Sequence, residues 1–365
     1  MMLKLMVVGC GAVVDQYYRG ALAKLEKHSI ARVVALVDPD SGRTAALGHH
    51  FHSARAFTIP AEAFTQTAPD LTIIASPPSL HAEHAIAAFA AGSHVLCEKP
   101  MAVSVDDAER MVAAARAAGR VLAVGMTRRM FPYLAEMQSL LAAGACGDRL
   151  SFVYREGSVY GWPVSTDFAF RRATAGGGVL IDRGTHVLDF LAALFGEPEP
   201  IAYADDGHLD GVETNCRIRL AFPGATGTVQ LSWSEALVNG LHIAGSAGQL
   251  TLHPWRPDAV RWRRNGGAWE TRVSAAAWPR DLRLHGRRGK PWTHDECVYY
   301  QIVQVLRSVV HGAAAPVTGE QGLAVVKAIQ ACYRLATPLR LDWLAEAEQA
   351  QTDTRHWRRS RCAAV

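Results

Sequence analysis

"VVGCGAVVDQYY", residues Val7 to Tyr18, joins two kinds of structure. The apolar run LKLMVVG that leads into it has the length and composition of a fully buried strand. Beyond it, Val14, Tyr18, Ala21, Leu22 and Leu25 recur on one face of a helix. Gly9 and Gly11 lie at the junction. A chain that leaves a buried strand and enters a helix within a few residues needs backbone without side chains, and amides at a helix start attract anionic groups such as a pyrophosphate. Gly9, Gly11, Ala12 and Val13 are therefore a candidate phosphate cradle, with Val14 in the slot where a third glycine would complete G-x-G-x-x-G.

The alternation continues outward from that turn. RVVALVD (32–38), LTIIAS (71–76), HVLCEKP (94–100) and RVLAVG (120–125) read as strands, with helical patterns near 79–91 and 104–118. The order predicts a parallel sheet covered on both faces, a doubly wound nucleotide-binding domain over residues 1–126. Asp38 closes the second strand, where a carboxylate accepts hydrogen bonds from adenosine ribose hydroxyls and repels a 2′-phosphate. NAD is thus favoured over NADP, a preference that Arg43 five residues on softens. Ser76, Pro77 and His81 follow a strand's carboxyl end, which borders the crevice where open parallel sheets take ligands. Glu98 and Lys99 of CEKP stand at the same edge. There a lysine in a partly desolvated cleft can steer a hydroxyl or stabilise a developing alkoxide.

Bulk properties narrow the field. A chain of 365 residues, 49% hydrophobic and 20% charged, is long enough for two domains with cores of their own. The net charge of +4 is small, and the basic stretches RWRR and HGRRGK read as solvated surface, so no nucleic-acid partner is expected. Seven scattered cysteines without a C-x-x-C pair read as free thiols of a reducing compartment. The first apolar run carries Lys4 and ends in glycines, unlike a secretory core or a membrane span, so a cytoplasmic location is expected. GHHFH (48–52) and the pair His81 and His84 lack the partners or order of a metal site, and no metal is expected.

In the second half, GGGVLIDRGTHVLD (176–189) concentrates the chemistry. Asp182 and His186, four apart, share one helix face. An imidazole with a pKa near the working pH can take a hydroxyl proton while hydride leaves the same carbon. Asp189 extends the stripe as a hydrogen-bonding tether. LSFVYREG, IAYADDG, ETNCRIRLAF, ATGTVQLSWS and LHIAGSAGQLTLHP read as the strands of a broad sheet in residues 127–340. The Trp-, Arg- and Gly-rich stretch near 255–293 reads as an irregular insertion, and 341–365 as a C-terminal tail.

VVGCGAV, VDPDSGR, SPPSLHAEHAIAAFAAGSHVLCEKPMAVSVDDAERMV, GMTRRMFP and GGGVLIDRGTHVLD, in this order and spacing, resemble the Gfo/Idh/MocA family of oxidoreductases. The resemblance runs as far as VTGEQGLAVVKAIQACYRLA, near residue 336. It implies an N-terminal Rossmann domain and a C-terminal α/β domain on a large open, mostly antiparallel sheet, whose exposed face forms the interface of a homo-oligomer, a dimer or a tetramer. By the family pattern Lys99 matches the E-K-P lysine, and Asp182 and His186 match D-x-G-x-H. His186 is then the acid/base, assisted by Lys99 and Asp182 in one cleft, with Tyr160, Trp162, Arg171 and Arg183 as further substrate contacts. Arg183 fills a position where relatives carry a small or apolar residue: facing the pocket it would read an anionic substrate, facing outward it would not.

The activity implied is NAD(H)-dependent hydride transfer to or from a secondary alcohol or ketone of a sugar, cyclitol or related polyhydroxy compound. Relatives also imply two alternatives. One is a redox-cycling glycosidase or epimerase that passes through a transient keto sugar. The other is a non-catalytic nucleotide-sensing regulator, whose mark would be loss of the Lys, Asp and His set that this chain retains.

Overall fold

Six parallel strands build the first unit of the computed structural model, which describes residues 2–163, 167–207, 211–256, 259–273 and 293–339. They are β1 (Leu3–Val8), β2 (Ala31–Val37), β3 (Arg55–Phe57), β4 (Leu71–Ile74), β5 (His94–Cys97) and β6 (Leu122–Val124), in the order β3-β2-β1-β4-β5-β6. Both faces are covered, as the unbroken apolar runs require: Leu5, Met6, Val7, Ile73, Ile74, Val95 and Leu96 are completely buried. Strand order reverses between β1 and β4, so the turn after β1 opens at the topological switch point.

The chain returns to this unit after building the second, for residues 293–326 belong to it. The helix His294–His311 is started by a capping box, with the Thr293 hydroxyl accepting from the Glu296 amide and the Glu296 carboxylate from the Thr293 amide. Its Val298, Tyr299, Ile302, Val303, Val305 and Leu306 share one core with Tyr18, Leu22 and Leu25 at the start of the chain.

The second unit is a nine-stranded mixed sheet. Its strands are β7 (Leu150–Gly157), β8 (Glu199–Asp205), β9 (Asn215–Phe222), β10 (Ala225–Ser232), β11 (Gly240–Ala244), β12 (Gly248–Leu252), β13 (Ala259–Arg264), β14 (Glu270–Val273) and β15 (Ala336–Pro338). The order is β14-β13-β12-β11-β7-β10-β9-β8-β15, antiparallel except where β7 meets β10 and β8 meets β15. One face is apolar and buried, with Phe152, Tyr154, Ile218, Leu220, Val229, Leu231 and Ile243 in the core. Phe195, at the end of the helix Thr185–Phe195, packs on Phe152 and Phe222 of that face, with ring centroids 5.6 and 5.5 Å away. The alternate residues Arg155, Arg217, Arg219 and Thr226 point away from it, and the three arginines are exposed.

The fold is therefore the expected pair of sheets. The stretch near 255–293 differs from the expected insertion where it is described: β13 and β14 pair as an antiparallel ribbon on the sheet edge. Its period-two pattern is carried by arginines and tryptophans instead of aliphatic residues. Arg261 and Arg263 lie over the Trp269 ring at 5.2 and 4.6 Å, and Arg272 lies over Trp262. Residues 274–292 and the expected tail 341–365 lie outside the described residues. Cys10, Cys97, Cys146, Cys216, Cys297 and Cys332 are buried free thiols. No helix among the described residues is long and apolar enough to cross a membrane.

Candidate active site

In the first unit, the expected cofactor residues gather at the carboxyl ends of β1, β2, β4 and β5. Gly9 has φ +91° and its amide donates to the Val37 carbonyl at 2.8 Å. A Cβ there would stand 2.5 Å from backbone atoms of Ala75 and Ser76, so no other residue fits between the ends of β2 and β4. At Gly11 a Cβ would meet nothing within 4 Å, leaving open space over the first-turn amides. The helix begins as a single π turn, Val14–Tyr18, and Val14 is completely buried, so the third-glycine slot holds a core side chain.

Asp38 is 4% exposed and fixed from both sides, accepting from the Cys10 amide at 2.8 Å and the Asp40 amide at 2.9 Å. Each carboxylate oxygen keeps a second acceptor position. Arg43 stands 3.9 Å from Asp38 and 3.4 Å from Asp40. The Ser76 hydroxyl pairs with His84 Nδ1 at 2.9 Å. His81 is 1% exposed, with Nδ1 2.9 Å from the Pro100 carbonyl and Nε2 2.8 Å from the Ser76 carbonyl. It ties the end of β4 to the cis Lys99–Pro100 turn through its ring nitrogens. A neutral ring has one N–H, so one of these contacts is a hydrogen bond and the other a polar approach.

Burial, opposed by the two carbonyls, lowers the His81 pKa from 6.5 to about 4. The native ring then binds its proton more weakly than the unfolded chain does. Stability is complete above pH 6.5 and is lost as pH falls toward 4, by about 2 kcal/mol between pH 7 and pH 5. Urea unfolding at those two pH values should show a smaller loss in His81→Gln than in the natural protein; equal losses would assign the acid sensitivity elsewhere.

Glu98 is enclosed. Its carboxylate accepts from the Tyr18 hydroxyl and, at 3.1 Å, from the Lys99 amide, and burial raises its pKa. A Cβ on Gly125 would stand 2.8 Å from its Oε1. Glu98 thus sets the backbone of Lys99, which stays partly accessible between buried Cys97 and Pro100.

In the second unit, Asp182 lies on a π turn, Leu180–Gly184, that runs into the helix carrying His186. From Leu180 to Phe190, the residues that keep accessible surface are Asp182, Arg183 and His186, while the rest are buried. Asp182 Oδ2 accepts from the Trp233 indole at 3.2 Å. Tyr160 sits beside them, its pKa raised by burial and then by the Asp182 charge. Tyr160, Phe170 and Trp233 pack edge to face at 4.9, 5.2 and 6.4 Å. Arg183 donates from Nη1 to the Ser232 carbonyl at 3.0 Å and from Nη2 to the Ser158 hydroxyl at 2.7 Å. Arg171 is ion-paired with Asp167 on the surface, and Trp162 is half-buried. Asp189 is fully buried in the helix.

Two residues here carry no sequence signal. Trp233 holds the Asp182 carboxylate. Glu213, fully buried with its pKa raised by burial, accepts at one oxygen from the amides of Gly178 (2.9 Å) and Leu180 (3.1 Å) and the Tyr333 hydroxyl (2.8 Å). Its carbonyl accepts from the Val179 amide at 2.9 Å, so it clamps the glycine segment ahead of Asp182. Among the described residues there is no group of three potential metal ligands.

A parallel sheet with a glycine turn and an acidic strand end is the pattern of a dinucleotide-binding Rossmann domain, and residues 3–126 match the oxidoreductase family with the NAD-binding Rossmann fold. Residues 134–251 match the C-terminal domain of the same group, and the chain belongs to the Gfo/Idh/MocA family. It is 30% identical to trans-1,2-dihydrobenzene-1,2-diol dehydrogenase of Mus musculus over 62% of this chain and 68% of that one. It is 27% identical to scyllo-inositol 2-dehydrogenase (NADP(+)) IolU of Bacillus subtilis over 74% of this chain and 82% of that one. The chain spans about half the length of several other dehydrogenases that it matches. Its structure is similar to aldose-aldose oxidoreductase of Caulobacter crescentus, with a TM-score of 0.77 and 26% identity, covering 92% and 97% of the two chains.

Proposed function

We propose that this chain moves a hydride between NAD and a secondary alcohol or ketone of a sugar, a cyclitol or a related polyhydroxy compound. The observation that carries the reading is the accessible trio in the otherwise buried stretch from Leu180 to Leu191: burial is the default there, and Asp182 and His186 are kept out of it. In this reading His186 takes the hydroxyl proton and returns it in the reverse direction. Asp182, held by Trp233, orients the ring or a neighbouring hydroxyl. Lys99, its backbone set by Glu98, stabilises the developing alkoxide. NAD, when bound, supplies the hydride acceptor. Gly9, Gly11, Ala12 and Val13 would hold its pyrophosphate and Asp38 its ribose, beside Ser76 and Pro77.

Asp38 supports NAD, and the nearby Arg43 leaves NADP as the weaker alternative. Asp38→Ala should weaken NAD about tenfold or more and narrow the gap to NADP. Titration of protein fluorescence with both reduced cofactors measures this, and an unaltered ratio would move the ribose contact elsewhere.

A panel of polyols, sugars and glycosides, followed by absorbance of the reduced cofactor, tests the reaction. Substrate consumed without accumulation of reduced cofactor would point instead to redox cycling through a keto sugar. The resemblance further supports a homo-oligomer through the open sheet face, and the scattered thiols support a cytoplasmic setting.

A further inference from the structure

We infer that the substrate is a neutral ring that lays an apolar face or an aryl substituent on Tyr160 and Phe170, next to the Asp182 carboxylate. This rests on the reading of Asp182 and His186 given above.

The backbone builds the wall deliberately at the ends of two neighbouring strands. The Tyr160 amide donates to the Trp233 carbonyl at 2.7 Å, just past the paired ends of β7 and β10. The two rings therefore leave the sheet side by side. Trp233 is 5% exposed and spends its indole N–H on Asp182, so the carboxylate is fixed against the aromatic wall. Phe170 completes the trio yet remains 39% exposed, and Phe168 and Val159 extend the uncovered apolar rim at 37% and 71%. Val159, Phe168 and Phe170 thus leave apolar surface next to a fixed carboxylate, the combination of apolar wall and placed polar group that ligand sites use.

The polar side of the argument is the arginines. Arg183 spends both terminal nitrogens on Ser232 and Ser158, and Arg171 is taken by Asp167. Both guanidiniums are thus drawn onto acceptors of the protein itself, although each keeps further N–H groups, and neither is held in place to face a carboxylate or phosphate. Beside them stand the Asp182 carboxylate, whose chemistry is that of an acceptor for hydroxyl groups, and a set of ring faces. That combination favours a cyclic vicinal diol over an open-chain polyol, because only a ring presents hydroxyls and a flat apolar surface together.

Calorimetry on the NADH-loaded protein tests this with phenyl β-D-glucopyranoside, methyl β-D-glucopyranoside, phenyl β-D-glucuronide and sorbitol. The phenyl glucoside should bind about two- to tenfold more tightly than the methyl glucoside, the range for one aromatic pair. It should also bind at least as tightly as the glucuronide, and sorbitol should bind most weakly. In Phe170→Ala and Tyr160→Ala the phenyl-to-methyl ratio should fall toward one. A ratio of one in the natural protein, a ratio unchanged in both variants, preferred binding of sorbitol or the glucuronide, or no binding at all would each overturn the inference. Following cofactor absorbance in matched samples loaded with NAD⁺ separates the two readings, because these ligands are alcohols and need the oxidised cofactor to take their hydride. Phe170-dependent binding without turnover of any ligand would sink the dehydrogenase reading alone. Turnover without a ring preference would sink this one alone.

Discussion

Asparagine in place of His186 is expected to lower the rate of reduced-cofactor formation about 10²- to 10⁴-fold, the range that general acid–base catalysis supplies. Asparagine keeps a polar group near the ring's position and removes the proton carrier. The helix should therefore persist, because its packing rests on Val187, Leu188, Phe190 and Leu191, which stay buried. Binding of NADH, which the proposal assigns to the first unit, should change less than twofold. Lys99→Met should behave similarly, with retained cofactor binding and turnover down by orders of magnitude. Initial rates with the best substrate of the panel decide the matter. Turnover within threefold of the natural protein would remove His186 from the proton transfer.

Alanine at Gly178 is expected to cost about 3–5 kcal/mol of stability in the second unit, at the upper end of single-residue effects. Its Cβ would stand 1.9 Å from the Glu213 carbonyl oxygen and 2.9 Å from two more backbone atoms of that residue. No side chain can swing away to make room. Moving the segment would also break the bonds that Glu213 makes to the amides of Gly178, Val179 and Leu180. Alanine at Gly11 is the control, since a Cβ there meets nothing and φ is not positive. Urea unfolding followed by far-ultraviolet dichroism should show a large fall in midpoint for Gly178→Ala and little change for Gly11→Ala. Equal stability of the two would show that the clamp yields easily.

The first sheet was legible because buried strands and amphipathic helices alternate, and each period reports on its own few residues. The sides taken by particular residues were not. Arg183 carries nothing that tells where it will point, because its acceptors Ser158 and Ser232 lie 25 and 49 residues away. Glu213 meets Gly178 across 35 residues, and only the folded sheet makes it a clamp. Trp233 reads as one more strand residue until Asp182 is seen beneath its indole. The ribbon β13–β14 escaped because its alternation is cationic and aromatic, where a buried strand would be aliphatic. The helix His294–His311 shows its apolar face plainly, but amphipathicity does not say which of two cores that face will join.

That last point bears on anyone who would cut this protein at its evident seam. A nucleotide-binding half ended at residue 131 would lack the helix whose Val298, Ile302, Val305 and Leu306 complete the core around Leu22 and Leu25. It would carry every residue proposed to touch the cofactor and still present a raw apolar flank, prone to stick to its neighbours in solution. A transplantable version needs the late segment stitched back on, because the part that makes the module soluble is encoded some 160 residues downstream of where the module seems to stop, from residue 131 to residue 293.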